Sequence, residues 1–107
     1  MARDWRSIIR DQGELARIKI KVATTLLADP DVNLETISRL HRDVEEKAKQ
    51  FDVIFLEMSN ELDLEHPLVD AALSVERLWS GMSVSVANRV SKMAGTAPIE
   101  LRDDGGM

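Results

Sequence analysis

From Leu34 to Leu62, apolar residues return at alternating steps of three and four: Leu34, Ile37, Val44, Ala48, Phe51, Phe55, Met58 and Leu62, with His41 the one polar member of the series. This spacing holds one stripe of an α-helix against a neighbour over about four heptads. After Pro67 a second series gathers Leu68, Ala71, Ala72, Val75, Leu78, Trp79, Met82, Val86, Val90 and Met93 on one side of a helical wheel. Asp70, Arg77, Gly81, Asn88 and Lys92 fall opposite. Glu35, Arg39, Arg42, Glu46 and Glu57 do the same for the first series. A third helical pattern precedes both, with Trp5, Ile8, Ile9, Leu15, Ile18, Ile20, Val22, Ala23, Leu26 and Leu27 spread over about half the circumference.

The punctuation agrees with the periodicity. Ala28-Asp29-Pro30-Asp31 stops the first helix, and Asn33 is a good N-cap for the next, with Glu35 in its first turn. Glu65-His66-Pro67 makes the second break, placing Pro67 at a first helical position. Gly95, followed by Pro98, closes the last helix. The expected helices therefore run over about 4–28, 34–63 and 67–94. The fold class is all-α: an elongated antiparallel three-helix bundle, or a helical hairpin plus an N-terminal helix, in one domain over residues 1–98. Residues 99–107, ending Asp103-Asp104-Gly105-Gly106-Met107, read as a flexible acidic tail.

Two stretches compete with this reading. Arg17-Ile18-Lys19-Ile20-Lys21-Val22 alternates and is β-branched, which is a strand signature, but no second good strand exists to pair with it. Gly81-Met82-Ser83-Val84-Ser85-Val86 also alternates. There Gly81 is a candidate kink point, and the small residues would let another helix approach closely.

Helices of 25–30 residues are about 38–45 Å long and leave little core per unit surface. One neighbouring helix cannot cover the wide apolar face of the first helix, and Val53, Leu56, Leu73 and Val84 add apolar residues to the outer faces of the others. The chain is therefore expected to form a homodimer or higher oligomer, with Leu34, Ile37, Val44, Phe51, Phe55, Met58 and Leu62 as its core and assembly seam.

Charge divides the chain. The net charge of −5 combines a first segment, residues 1–28, of net +3, an acidic second segment, residues 29–65, of net −7, residues 66–94 of net +1 and a tail of net −2. Arg3, Arg6, Arg10, Arg17 and Lys21 lie within about 60° of arc on the first helix, with Glu14 at the stripe's edge. Such a stripe suits phosphates or an acidic protein surface, although it can also pair with the acidic second helix. Arg6, Arg10, Arg17, Lys21, Val53 and Leu56 are the candidate partner-binding residues. An acidic balance and only four aromatics, none of them Tyr, weigh against a nucleic-acid binder, which is kept as the alternative reading.

Catalytic chemistry has little to work with. There is no cysteine, which excludes disulfides and thiol catalysis and fits a reducing cytoplasm. His41 occupies a seam position, where a single polar residue more often sets register than binds metal, and His66 suits a cap. Asp29, Asp31 and Asn33 match the start of a calcium loop, but Leu34 stands where glycine is needed and Leu40 where the bidentate glutamate belongs. Glu57, Glu61, Asp63 and Glu65 lack the Glu-x-x-His pattern of a di-iron bundle. No P-loop or nucleophile–base constellation appears. The expectation is a non-enzyme without cofactor or metal. No signal peptide or membrane span is apparent, so a cytoplasmic location is expected.

His41-Arg42, Glu46-Lys47-Ala48, Asn88 and Gly95-x-x-Pro98 resemble features of the TraM-type quorum-sensing antiactivators. The resemblance covers residues 34–98 at scattered positions and departs at the amino end, where this chain has an additional basic helix, and in a shorter inter-helix connection. It implies a small all-helical homodimer that sequesters LuxR-type transcription activators through the outer face of its second and third helices. The expected function is thus self-association and binding of another protein, a transcriptional regulator by this resemblance.

Overall fold

The computed structural model describes residues 3–95 and shows three α-helices: α1 (Trp5–Ala28), α2 (Leu34–Glu61) and α3 (Pro67–Ala94). No strand occurs among the described residues, and the alternating run 17–22 is helical throughout. A lone strand would leave its backbone groups without a ladder, whereas the helix satisfies them within the segment. α3 likewise continues unbroken through Gly81. The acidic tail and Pro98 lie outside the described residues.

Each helix start is capped by a side chain of its own sequence. The Ser7 N–H donates to Asp4 Oδ1 at 3.2 Å and its hydroxyl to Oδ2 at 2.9 Å. The Thr36 N–H donates to Asn33 Oδ1 at 2.8 Å, and the Leu68 N–H to His66 Nδ1 at 3.1 Å, with Pro67 beginning the helix. Such caps satisfy amides that the helix leaves without partners, and each contributes about 1 kcal/mol. At the far end of α3, Gly95 takes the left-handed conformation at φ 70° and donates its N–H to the carbonyls of Lys92 and Ser91.

The helices run up, down and up. Arg3 pairs with Glu57 and Lys19 with Asp43, so α1 and α2 are antiparallel. α1 and α3 are parallel, with Gly13 beside Val75 and Leu27 beside Arg89, in both cases 62 positions apart. α3 packs extensively on both other helices, while α1 and α2 meet sparsely. The molecule is elongated, 56 Å along its longest axis against 31 and 18 Å.

One core runs through the bundle. α1 contributes Trp5, Ile9, Ala16 and Ala23, α2 contributes Ile37, Leu40, Val44, Phe51 and Met58, and α3 contributes Val69, Ala72, Val75, Trp79, Met82 and Val86. Of the α2 seam, Ile37, Val44, Phe51 and Met58 are wholly buried, and Phe55 and Leu62 pack half-buried against them. The Phe51 and Phe55 rings meet edge to face at 6.3 Å. Leu34 departs from the expected seam: as the first residue of α2 it is 38% exposed. Leu40 instead turns inward, while His41 sits at the margin, its Nε2 3.6 Å from Glu45. A straight helix drifts by about 20° per heptad, so a strict seam read over four heptads slides off the buried line at its ends. α1 is covered by two helices rather than one, yet Ile18 and Val22 remain exposed.

Candidate protein-interaction surface

The amino half of α1 carries the basic stripe, and the parallel packing of α1 on α3 determines where it faces. Arg6, Arg10 and Arg17 line one rim of an open groove whose floor is Ile9, Gly13, Leu68, Ala71, Val75 and Leu78. This upper part encloses about 400 Å³. Leu78 also lines a second stretch of about 300 Å³, which continues between α1 and α3 past Ile20, Ala23, Leu27, Gly81, Met82 and Ser85. Arg77 stands on its α3 rim. From Arg6 to Leu27 the two stretches span about 32 Å of helix. No residue of α2 lines either of them.

Small residues make the trough. A Cβ placed on Gly81 would meet no side chain within 4 Å among the described residues, so the wall of α3 is open there. At Gly13 the same position lies 3.5 Å from Val75, which records how near α1 comes to α3. The Arg17 guanidinium folds back over that glycine, 3.7 Å from the built position.

The groove arginines differ in their partners. Arg10 Nε lies 3.6 Å from the neighbouring Asp11, and its Nη2 lies 3.5 Å from Ser7 Oγ. Arg6, Arg17 and Arg77 have no ion-pair partner among the described residues. The hydrogen bonds from Ser7 hold the Asp4 carboxyl below its usual range, aided by the positive charge of Arg10 and Arg6.

Other cations of α1 serve the bundle itself. Arg3 is ion-paired with Glu57 and lies over the Trp5 ring at 5.2 Å, while Trp5 Nε1 donates to Glu61 at 2.8 Å. Lys19 Nζ reaches Asp43 at 2.6 Å, and Lys47 shares that carboxylate at 3.3 Å. The Lys19 hydrogen bond holds Asp43 below the ordinary carboxylate range, against the opposing effect of partial burial. The basic stripe therefore divides, with Arg3 tied to α2 and Arg6, Arg10 and Arg17 left facing the groove.

The remaining candidates lie elsewhere. Lys21 borders a shallow surface dip with Val22, Thr25 and Leu26. Val53 and Leu56, 58% and 64% exposed, stand on the outside of α2 and contribute nothing to the groove. Sequence periodicity placed Leu68, Ala71, Val75, Leu78 and Met82 on the apolar face of α3 but missed Ser74 and Ser85 beside them, because it does not state which flank of α3 receives α1. The small residues around Gly81 were the available signal. Arg89 was also missed: it donates to the Leu27 carbonyl at 2.7 Å and so caps the carboxyl end of α1, which has no basic residue in its own last turn.

Among the described residues, no three His, Asp or Glu side chains group so as to hold a metal ion, and no helix is long and apolar enough to cross a membrane. Family models, curated proteins and solved structures were all compared with this chain, and none matches it.

Proposed function

We propose that the chain is a cytoplasmic, non-enzymatic helical module that assembles with itself and binds a protein partner. One observation carries the reading: apolar side chains stand exposed in spaced sets on all three helices, beyond what the bundle covers. Ile18 and Val22 lie one turn apart on α1, Val53 and Leu56 one turn apart on α2, and Leu73 and Val84 three turns apart on α3. Single exposed apolar residues are ordinary, but sets in register along long helices are what a second helical surface covers. The resemblance to TraM-type antiactivators supports a transcriptional regulator as the partner and the outer face of α2 and α3 as the contact.

Sedimentation equilibrium tests the assembly. The expected mass is a multiple of the 12.0 kDa chain. The double substitution I18E/V22E, on the apolar face of α1 that the bundle leaves uncovered, shifts the equilibrium toward monomer while far-UV circular dichroism stays unchanged. A monomer at high micromolar concentration would refute the reading. The unpaired Arg6 and Arg17 favour one alternative, a nucleic-acid contact along α1. It requires duplex DNA binding that weakens steeply with salt, and no shift at low salt ends it.

A further inference from the structure

We infer that the α1/α3 groove is the seat of a fourth helix: an acidic, amphipathic helix of a partner protein, lying along the bundle with its apolar stripe on the groove floor. This rests on the reading of the chain as a partner-binding module and names the partner's chemistry.

Shape, charge and a glycine in the wall together point to this occupant. Two cavities that meet at Leu78 are lined mainly by apolar side chains from Ile9 to Leu27, with Ser74, Thr24 and Ser85 among them, and together they follow α1 for about 32 Å, the length of a helix of about 21 residues. It lies between two parallel helices, where a further helix would complete a four-helix arrangement. The rim supplies the sign of the partner. Arg6, Arg10 and Arg17 recur on the α1 side and Arg77 stands on the α3 side, while among the described residues no carboxylate lines the groove. Guanidinium groups on an apolar border match glutamate and aspartate flanking an apolar stripe, both by charge and by bidentate geometry.

Gly81 adds a third argument. An interior helical glycine is unfavourable relative to alanine, and among the described residues no side chain occupies the space its own would take. A backbone approaching closely from outside is the contact that such a position permits. Nucleic acid fits less well, because a phosphate backbone would cover the mainly apolar lining between the arginine rims without filling it.

A fluorescein-labelled peptide of about 21 residues, with leucine at a and d and glutamate at e and g over three heptads, is the probe. Its counterpart carries lysine for every glutamate. Fluorescence anisotropy is expected to show saturable binding of the acidic peptide that weakens with salt, and at least tenfold weaker binding of the lysine peptide. R6E/R10E/R17E and, separately, G81L are each expected to weaken binding of the acidic peptide at least tenfold. G81L fills the trough while leaving the helix intact, so thermal melts of both variants distinguish a blocked groove from a lost fold.

Equal binding of the two peptides, or unchanged binding by both variants, overturns the inference. So does duplex DNA binding lost in R6E/R10E/R17E with no peptide binding. Sedimentation of the same samples separates the two readings. Oligomers that dissociate in R6E/R10E/R17E would show that a second copy fills the groove, which also overturns the inference. Wild-type monomers that still bind the acidic peptide would refute the assembly proposal and leave the groove standing.

Discussion

Replacing Gly81 by alanine should stabilise the protein. Gly81 sits in the interior of α3, away from either cap, and its side is exposed. Among the described residues, a methyl group there meets no atom within 4 Å beyond its chain neighbours and the surrounding helix backbone, so it brings no steric strain. Gly95 is the position where φ is positive, so the backbone at Gly81 is one that alanine adopts freely. What remains is the conformational freedom that glycine loses on entering a helix, about 0.8–1.0 kcal/mol relative to alanine. For a domain of this size, that corresponds to a rise in Tm of about 3–8 °C. Thermal unfolding followed by far-UV circular dichroism measures it, at a fixed protein concentration because self-association makes Tm depend on concentration. G95A provides the opposite sign: alanine in a left-handed C-cap is strained, and a loss of about 1 kcal/mol is expected. A fall in Tm for G81A would refute the open wall of the groove. Equal effects at the two glycines would refute the assignment of their backbone conformations.

Other substitutions probe separate parts of the bundle. Phe51→Ala empties a wholly buried site and should destabilise by about 3–5 kcal/mol, whereas Leu34→Ala at the exposed start of α2 should change stability by under about 1 kcal/mol; urea titrations compare them. Asp43 is held below its ordinary pKa, chiefly by the Lys19 hydrogen bond, so its contribution to stability is present above the unfolded value and is lost as pH falls through the folded one. Asp43→Asn should therefore flatten the stability–pH curve below about pH 4, as denaturation midpoints across acid pH would record. Arg89→Met keeps the apolar stem but removes the donor to the Leu27 carbonyl; a loss of about 1–2 kcal/mol is expected, together with faster hydrogen exchange in the last turn of α1.

Helix positions were legible because local chemistry sets them. Asn33, Pro67 and Gly95 act in the structure as their residue types require, and the apolar series of α2 and α3 mark most of the buried face. Helix 2 ends at Glu61 rather than at 63, a difference within the fraying of a last turn. What periodicity could not supply was the relation between helices. A stripe of side chains states that a neighbour exists but not which neighbour, nor at what offset. Leu40 was therefore overlooked in favour of His41, and Val69 was left out of the α3 face. The basic stripe was legible as a line on α1. Its division into bundle-bound Arg3 and groove-facing Arg6, Arg10 and Arg17 depended on contacts with Glu57 and with α3, which lie far away in sequence. The orphaned indole of Trp79, buried without a hydrogen-bond partner among the described residues, had no sequence signal at all.

The 62-residue offset between α1 and α3 has a kinetic consequence. α2 and α3 are joined by a short turn and form a local hairpin, whose register is found without a long search. α1 gains most of its contacts only after the chain has closed a loop spanning the whole of that hairpin. The first helix, which meets α2 sparsely, is therefore expected to dock late in folding and to leave early, a rod laid onto a preformed clasp. Any partner seated along its seam with α3 would act as a latch, slowing the departure of α1 more than it changes the hairpin beneath.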